Sequence, residues 1–152
     1  VQIIKNNKKK FSKKINPCTK TFQALRIFIN KEVSELIYGL ISATKILQDG
    51  GKIIVITFHS LEDKIVKFFF KNFSENKSRS SRYFPEDNSK QNFFYNYNNV
   101  FLNPSDLEVK NNPASRSAKL RYVTRNQNPF FHPKEFFDKF KNYLDIENLG
   151  YE

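Results

Sequence analysis

Apolar residues recur at Leu25, Ile29, Val33, Leu36, Leu40, Ala43 and Leu47, always three or four positions apart. That spacing predicts one long helix, capped at Thr19 or Thr21 and running to Leu47, with an apolar stripe laid against a sheet. Ile27, Phe28, Ile37 and Ile41 widen the stripe. Asp49-Gly50-Gly51 ends the helix, because glycine takes the left-handed cap conformation without a Cβ clash. The pattern then changes. Ile53 to Phe58 is apolar on both faces, which predicts a fully buried strand of the kind found inside a parallel sheet. At His59-Ser60 the period changes again, with Leu61, Ile65, Phe69 and Phe73 at helix spacing. Ser60 is the expected cap of this helix, and Asp63, three residues on, the acid of a capping box. Helix, Gly-Gly, strand, sharp turn, helix is a piece of an α/β crossover.

Flanking segments are less regular. Val1 to Lys14 reads as the last turn of a helix followed by a lysine-rich loop. Residues 74–98 are rich in Ser, Asn, Lys and Tyr with no sustained period, and read as a long mobile insertion. Its Phe93, Phe94, Tyr95 and Tyr97 either stack on bases or dock the loop on the core. Asn99 to Leu102 is a candidate short strand, and Pro104-Ser105 caps a short helix with Asp106 and Glu108 in its first turn. Ala118 to Arg125 alternates, as a half-exposed strand does, with Lys119, Arg121 and Arg125 assigned to its outward face. A last helix starts at Pro133 and carries Phe136, Phe137, Phe140, Tyr143 and Leu144 on one face.

Charge narrows the class. The net charge is +11, with nine Lys or Arg and no acid in residues 1–31, and four basic residues and no acid in 112–125. A polyanion partner is the functional reading; a solvated surface in a lysine-biased sequence is the other. Gln23, Arg26 and Asn30 share one helix face, either an ordinary polar stripe or a face that meets RNA. One Cys excludes an internal disulfide and fits a reducing compartment. No apolar run approaches the ~20 residues needed to span a bilayer. Two His and one Cys match no zinc spacing, so no metal site is expected. Ser60 sits at a strand-to-helix turn but lacks the flanking glycines of a nucleophile elbow. The four glycines, Gly39, Gly50, Gly51 and Gly150, form no nucleotide loop.

Three segments carry a family resemblance. They are Asn16-Pro17-Cys18-Thr19-Lys20-Thr21-Phe22-Gln23-Ala24-Leu25-Arg26-Ile27 with Asn30, then Ile56 to Lys67 with its Phe-His-Ser-Leu-Glu-Asp, then Asn112 to Arg121 with its Arg-Ser-Ala-Lys-Leu-Arg. Together they resemble the small-subunit rRNA cytosine-N4 methyltransferases (RsmH, or MraW), over roughly Val1 to Arg125. Asn16, Lys20 and Ala114-Ser115 depart from the family's usual His, Arg and Arg. The resemblance implies an α/β fold, the C-terminal part of a Rossmann-like S-adenosylmethionine-dependent methyltransferase sheet with flanking helices. Ile53–Phe58 becomes its fifth strand, and Asn99–Leu102 and Ala118–Thr124 its sixth and seventh. Residues 1–15 then end a helical insertion, 16–125 belong to the methyltransferase domain, and 126–152 form a tail. The implied reaction is direct attack of a cytosine exocyclic amine on the sulfonium methyl group, in the decoding region of small-subunit RNA or the assembled subunit, in the cytoplasm. The implied pocket lining is His59, Ser60 and Asp63. Lys20, Arg26, Arg116, Lys119 and Arg121 are the implied phosphate contacts. The cofactor loop is expected upstream of Val1. The rival expectation is a non-catalytic basic RNA-binding module.

Overall fold

A computed structural model describes residues 18–75 and 91–149. Expectations for the basic N-terminal loop and for most of the 74–98 insertion therefore lie outside the described residues. The described chain is mixed α/β: five α-helices, one 3-10 turn and a two-stranded antiparallel sheet. It divides into two compact units, one of residues 18–36 with 140–149, the other Ile37–Lys139.

The single long helix of the sequence pattern is two helices: α1 (Thr19–Asn30) in the first unit, and α2 (Glu32–Ile46), whose residues from Ile37 on belong to the second. Between them Lys31 adopts a left-handed conformation, φ 50°. A left-handed residue redirects the helix axis, so the stripe before it no longer shares a face with the stripe after it. Leu25 and Ile29 are accordingly exposed and Leu36 half-buried, while Val33 and Leu40 are buried. The expectation of one continuous buried stripe is corrected on this point. Nor does Thr19 or Thr21 cap α1. Cys18 occupies the cap without a side-chain capping bond, and its carbonyl accepts from Phe22 N at 2.9 Å.

A left-handed non-glycine costs about 1–2 kcal/mol. Partners that use the break offset that cost. The Glu147 carboxylate, from α5 (Lys134–Asn148), accepts from Val33 N at 3.0 Å and Ser34 N at 2.9 Å, and from Ser34 Oγ at 2.5 Å. It thereby caps the N-terminus of α2, where backbone amides and the helix dipole both favour an anion. Arg26 donates to Glu32 through Nε at 2.7 Å and Nη2 at 3.0 Å across the same break.

The second unit is built on β1 (Lys52–Thr57) and β2 (Lys119–Thr124), antiparallel with Lys52 opposite Thr124 and Thr57 opposite Lys119. Beyond them the ladder continues through Gly50 N to Arg125 O at 2.9 Å and Arg125 N to Gly51 O at 2.8 Å. Gly50 needs its glycine, at φ 78°. At Gly51 an added Cβ would meet Leu47 Cδ2 at 2.9 Å, so the helix end and strand start pack too closely for a side chain.

β1 is buried on one face only. Ile53 and Thr57 face inward, while Ile54 is 61 % and Ile56 55 % exposed. The fully buried strand of the sequence pattern is corrected here. Among the described residues the sheet has two strands, and the side carrying Ile54, Ile56 and Tyr122 is bare. Nor does β2 face as expected. Arg121 and Arg125 are buried, and Tyr122 is the exposed residue.

The core of this unit is phenylalanine. From α3 (Ser60–Asn72), Phe69 and Phe70 are fully buried with Ile65 and Val66, next to Phe73. Phe69 lies 4.6 Å from Phe136 and 5.7 Å edge-on to Phe94, and Phe93 stacks on Phe131 at 4.1 Å. Offset and edge-on contacts of this kind add about 0.5–1.5 kcal/mol per pair beyond area burial. Phe93 and Phe94 thus dock the returning end of the 74–98 segment on the core. Arg125 closes the same corner by donating to the carbonyls of Thr44, Phe93, Asn126 and Asn128 at 2.7–3.2 Å.

Phe69→Ala is expected to lower the unfolding free energy by about 3–5 kcal/mol, the usual cost of a fully buried Phe truncation. Ile29→Ala, on the exposed side of α1, is expected to change it by under about 0.5 kcal/mol. Urea denaturation followed by circular dichroism measures both.

Candidate nucleic-acid interface

β1 delivers the chain to the turn Phe58-His59, where α3 begins. His59 is extended, φ −137° and ψ 163°, and is itself the cap. Its Nδ1 accepts from Glu62 N at 3.4 Å. The Glu62 carboxylate answers by accepting from Phe58 N at 2.9 Å and His59 N at 3.3 Å. The capping box is therefore His59–Glu62, one position earlier than the expected Ser60–Asp63. An imidazole nitrogen is an acceptor much as a hydroxyl is, and the sequence pattern does not distinguish the two registers. Ser60 becomes the first helical residue and is exposed.

The shift has a consequence. Asp63, released from capping, reaches β2. Its Oδ1 accepts from Arg121 Nε at 2.7 Å, and its Oδ2 from Arg121 Nη2 and Lys119 Nζ, both at 3.3 Å. Arg121 Nη1 donates to the Tyr97 hydroxyl at 2.8 Å. The Phe101 ring lies against both cations, 4.9 Å from Arg121 Cζ and 5.0 Å from Lys119 Nζ. Burial alone would raise the Asp63 carboxyl, but the hydrogen bonds and charges of Arg121 and then Lys119 outweigh it and hold it below the usual carboxylate range. Burial likewise raises the Tyr97 phenol, and the Arg121 bond only partly offsets that.

The structure therefore joins Asp63, assigned from the sequence to the pocket, with Lys119 and Arg121, assigned to phosphate. His59 precedes Asp63 by one helical turn. Arg116 is exposed in the 3-10 turn Pro113–Ser117. Lys20 is exposed on α1, and Arg26 is paired with Glu32 in that same unit. Phe101 was missed by the sequence reading, and Tyr97 was named there only as an aromatic that stacks on bases or docks its loop. The only signal for Phe101 was its place in the candidate strand Asn99–Leu102. That segment makes a single antiparallel bridge, Leu102 to Leu120.

Residues 1–126 match the MraW methylase family. The chain belongs to that family. It is 45 % identical over 121 residues to the ribosomal RNA small subunit methyltransferase H of Agrobacterium fabrum, covering 80 % of this chain and 35 % of that protein. The proteins of the same name from the Wolbachia of Brugia malayi and from Ehrlichia canis are each 47 % identical over 112 residues, covering 74 % and 73 % of this chain and 31 % and 35 % of their own length. The chain thus spans about a third of the length of the curated relatives it matches. The family match stops at Asn126, so α5 and its Glu147 lie beyond it.

Because folded Asp63 titrates below its unfolded value of about 3.9, its stabilisation is complete above that pH and is lost as pH falls through the folded value. Asp63→Asn leaves Arg121 buried without its counter-charge, and is expected to cost roughly 3 kcal/mol at pH 7. The gap between wild type and variant is expected to close in acid, which unfolding curves from pH 7 to pH 2.5 check (about the range where carboxylates titrate).

Proposed function

We propose that the chain forms the RNA-facing, C-terminal part of an enzyme that methylates N4 of a cytidine in small-subunit ribosomal RNA, with S-adenosylmethionine as donor, in the cytoplasm. One observation carries the reading. Two segments of the resemblance, Phe58 to Asp63 and Arg116 to Arg121, meet in space through the Asp63 bonds to Lys119 and Arg121. The names of the relatives support the substrate class, and no helix among the described residues is long and apolar enough to cross a membrane.

In this reading β1 and β2 belong to a larger Rossmann-like sheet. β2 is antiparallel to β1 and bridges to Leu102 on its other side. In such a sheet further strands pair along the β1 edge away from β2, and helices cover the bare face at Ile54, Ile56 and Tyr122.

The described residues do not fit the cofactor itself. A nucleoside cofactor is cradled by backbone amides at a glycine-bearing strand-to-helix turn. Here the turn has no glycine, and the amides of Phe58, His59 and Glu62 are spent on the capping box. We place the cofactor site outside these residues. What the chain supplies is the RNA side. Lys119 and Arg116 contact phosphates; Lys20 belongs to the other unit and is a phosphate contact of its own. Arg121 is buried and bonded through Nε, Nη1 and Nη2 to Asp63 and Tyr97, and holds the cluster rather than a phosphate. His59 and Ser60 line the base side of the pocket, where the protein's task is to position the amine in line with the methyl group.

Lys119→Ala is expected to reduce the slope of log affinity against log salt for a small-subunit RNA fragment by somewhat under one unit; parallel lines would count against the phosphate role. Calorimetric titration of the 152-residue chain with S-adenosylmethionine is expected to show no binding. Micromolar binding would overturn the placement of the cofactor site.

A further inference from the structure

Phe101 is a large apolar ring that the fold leaves 39 % exposed, between the exposed Val100 and Leu102. Its position is nevertheless well defined. The Leu102–Leu120 bridge is made by two backbone hydrogen bonds of 2.9 and 3.0 Å. In an antiparallel pair that register sets Phe101 opposite Arg121. Arg121 cannot move away: Asp63 and Tyr97 hold its Nε, Nη1 and Nη2. The ring therefore rests on an immobilised guanidinium, 4.9 Å away, with the Lys119 ammonium 5.0 Å from its centroid. Lys119 stays half-exposed and gives one bond to Asp63, and an ammonium has three donors.

A surface aromatic ring fixed beside an accessible cation is what an unpaired nucleotide needs. The base stacks on the ring, and the cation takes the neighbouring phosphate. A ring already held in place loses little freedom when a base lands on it. Duplex bases are stacked on one another and cannot use such a ring, so the geometry selects single strands.

We infer that Phe101 is a stacking platform for an unpaired base of bound RNA, with Lys119 holding the adjacent phosphate and Arg121 positioning the ring. The inference rests on the RNA reading above and adds to it a residue and a strand state.

The test uses the full chain and a single-stranded RNA carrying 2-aminopurine, whose fluorescence falls on stacking. The same RNA annealed to its complement serves as the second probe. Wild type is expected to quench the single strand and not the duplex. Phe101→Leu is expected to lose the quenching and about tenfold in affinity, in line with alanine-scan losses at stacking sites, while keeping its salt slope. Lys119→Ala is expected to keep the quenching and lower the slope. Phe101→Tyr keeps a ring and is expected to restore quenching, which separates stacking from any folding defect of the leucine variant. If Phe101→Leu binds and quenches as wild type does, or if duplex is quenched equally, the platform is overturned and the RNA reading stands. If wild type binds neither RNA, both are overturned.

Discussion

Arg121 is only 2 % exposed, and without Asp63 its guanidinium would be an unpaired charge inside the second unit. Removing one partner of such a pair is far more damaging than the pair is stabilising, because the desolvation cost remains while the attraction is lost. The pair therefore acts chiefly as a constraint. A one-residue slip of β2 would turn Arg121 to the opposite face of the sheet and strand Asp63. The register of β2 on β1, the start of α3, and the place of Tyr97 and Phe101 all follow from satisfying that one guanidinium.

Arg125, four residues on and on the same face, is solved differently. It has no carboxylate and instead gathers backbone carbonyls from α2, from residue 93 and from 126–128. Burial pulls its proton affinity down, and only the more distant Asp49 charge pushes the other way. It thereby ties the returning end of the 74–98 segment to the core that the phenylalanines fill. Phe93, sitting under the Arg125 guanidinium at 5.6 Å, belongs to both arrangements. One arginine organises the mouth of the sheet and the other its base. Both are buried, whereas Lys119 is half-exposed and Arg116 exposed.

The first unit shows the same economy with a different group. The Glu147 carboxylate supplies the cap that α2 lacks in its own sequence, from a helix beyond the family match. The α1–α2 break at Lys31 is thus met by a side chain more than a hundred residues away.

Local pattern alone determined which segments are helix and which are strand, because the periods 3.6 and 2 are properties of contiguous residues. It placed α3, β1, β2, α4 (Asp106–Asn111) with its Ser105 cap, and α5, and it set the basic character and the family segments. What it did not determine was which face of β2 points inward, since Lys119, Arg121 and Arg125 alternate with apolar residues as a solvent face does. Burying them depends on Asp63 and on carbonyls distant in sequence. Nor did it show the break at Lys31, where no Gly or Pro interrupts the stripe, or the capping register at His59, where Ser60–Asp63 and His59–Glu62 are equally good locally. In each case a long-range charge, Asp63, Glu147 or Arg121, favours a solution that the local pattern does not single out.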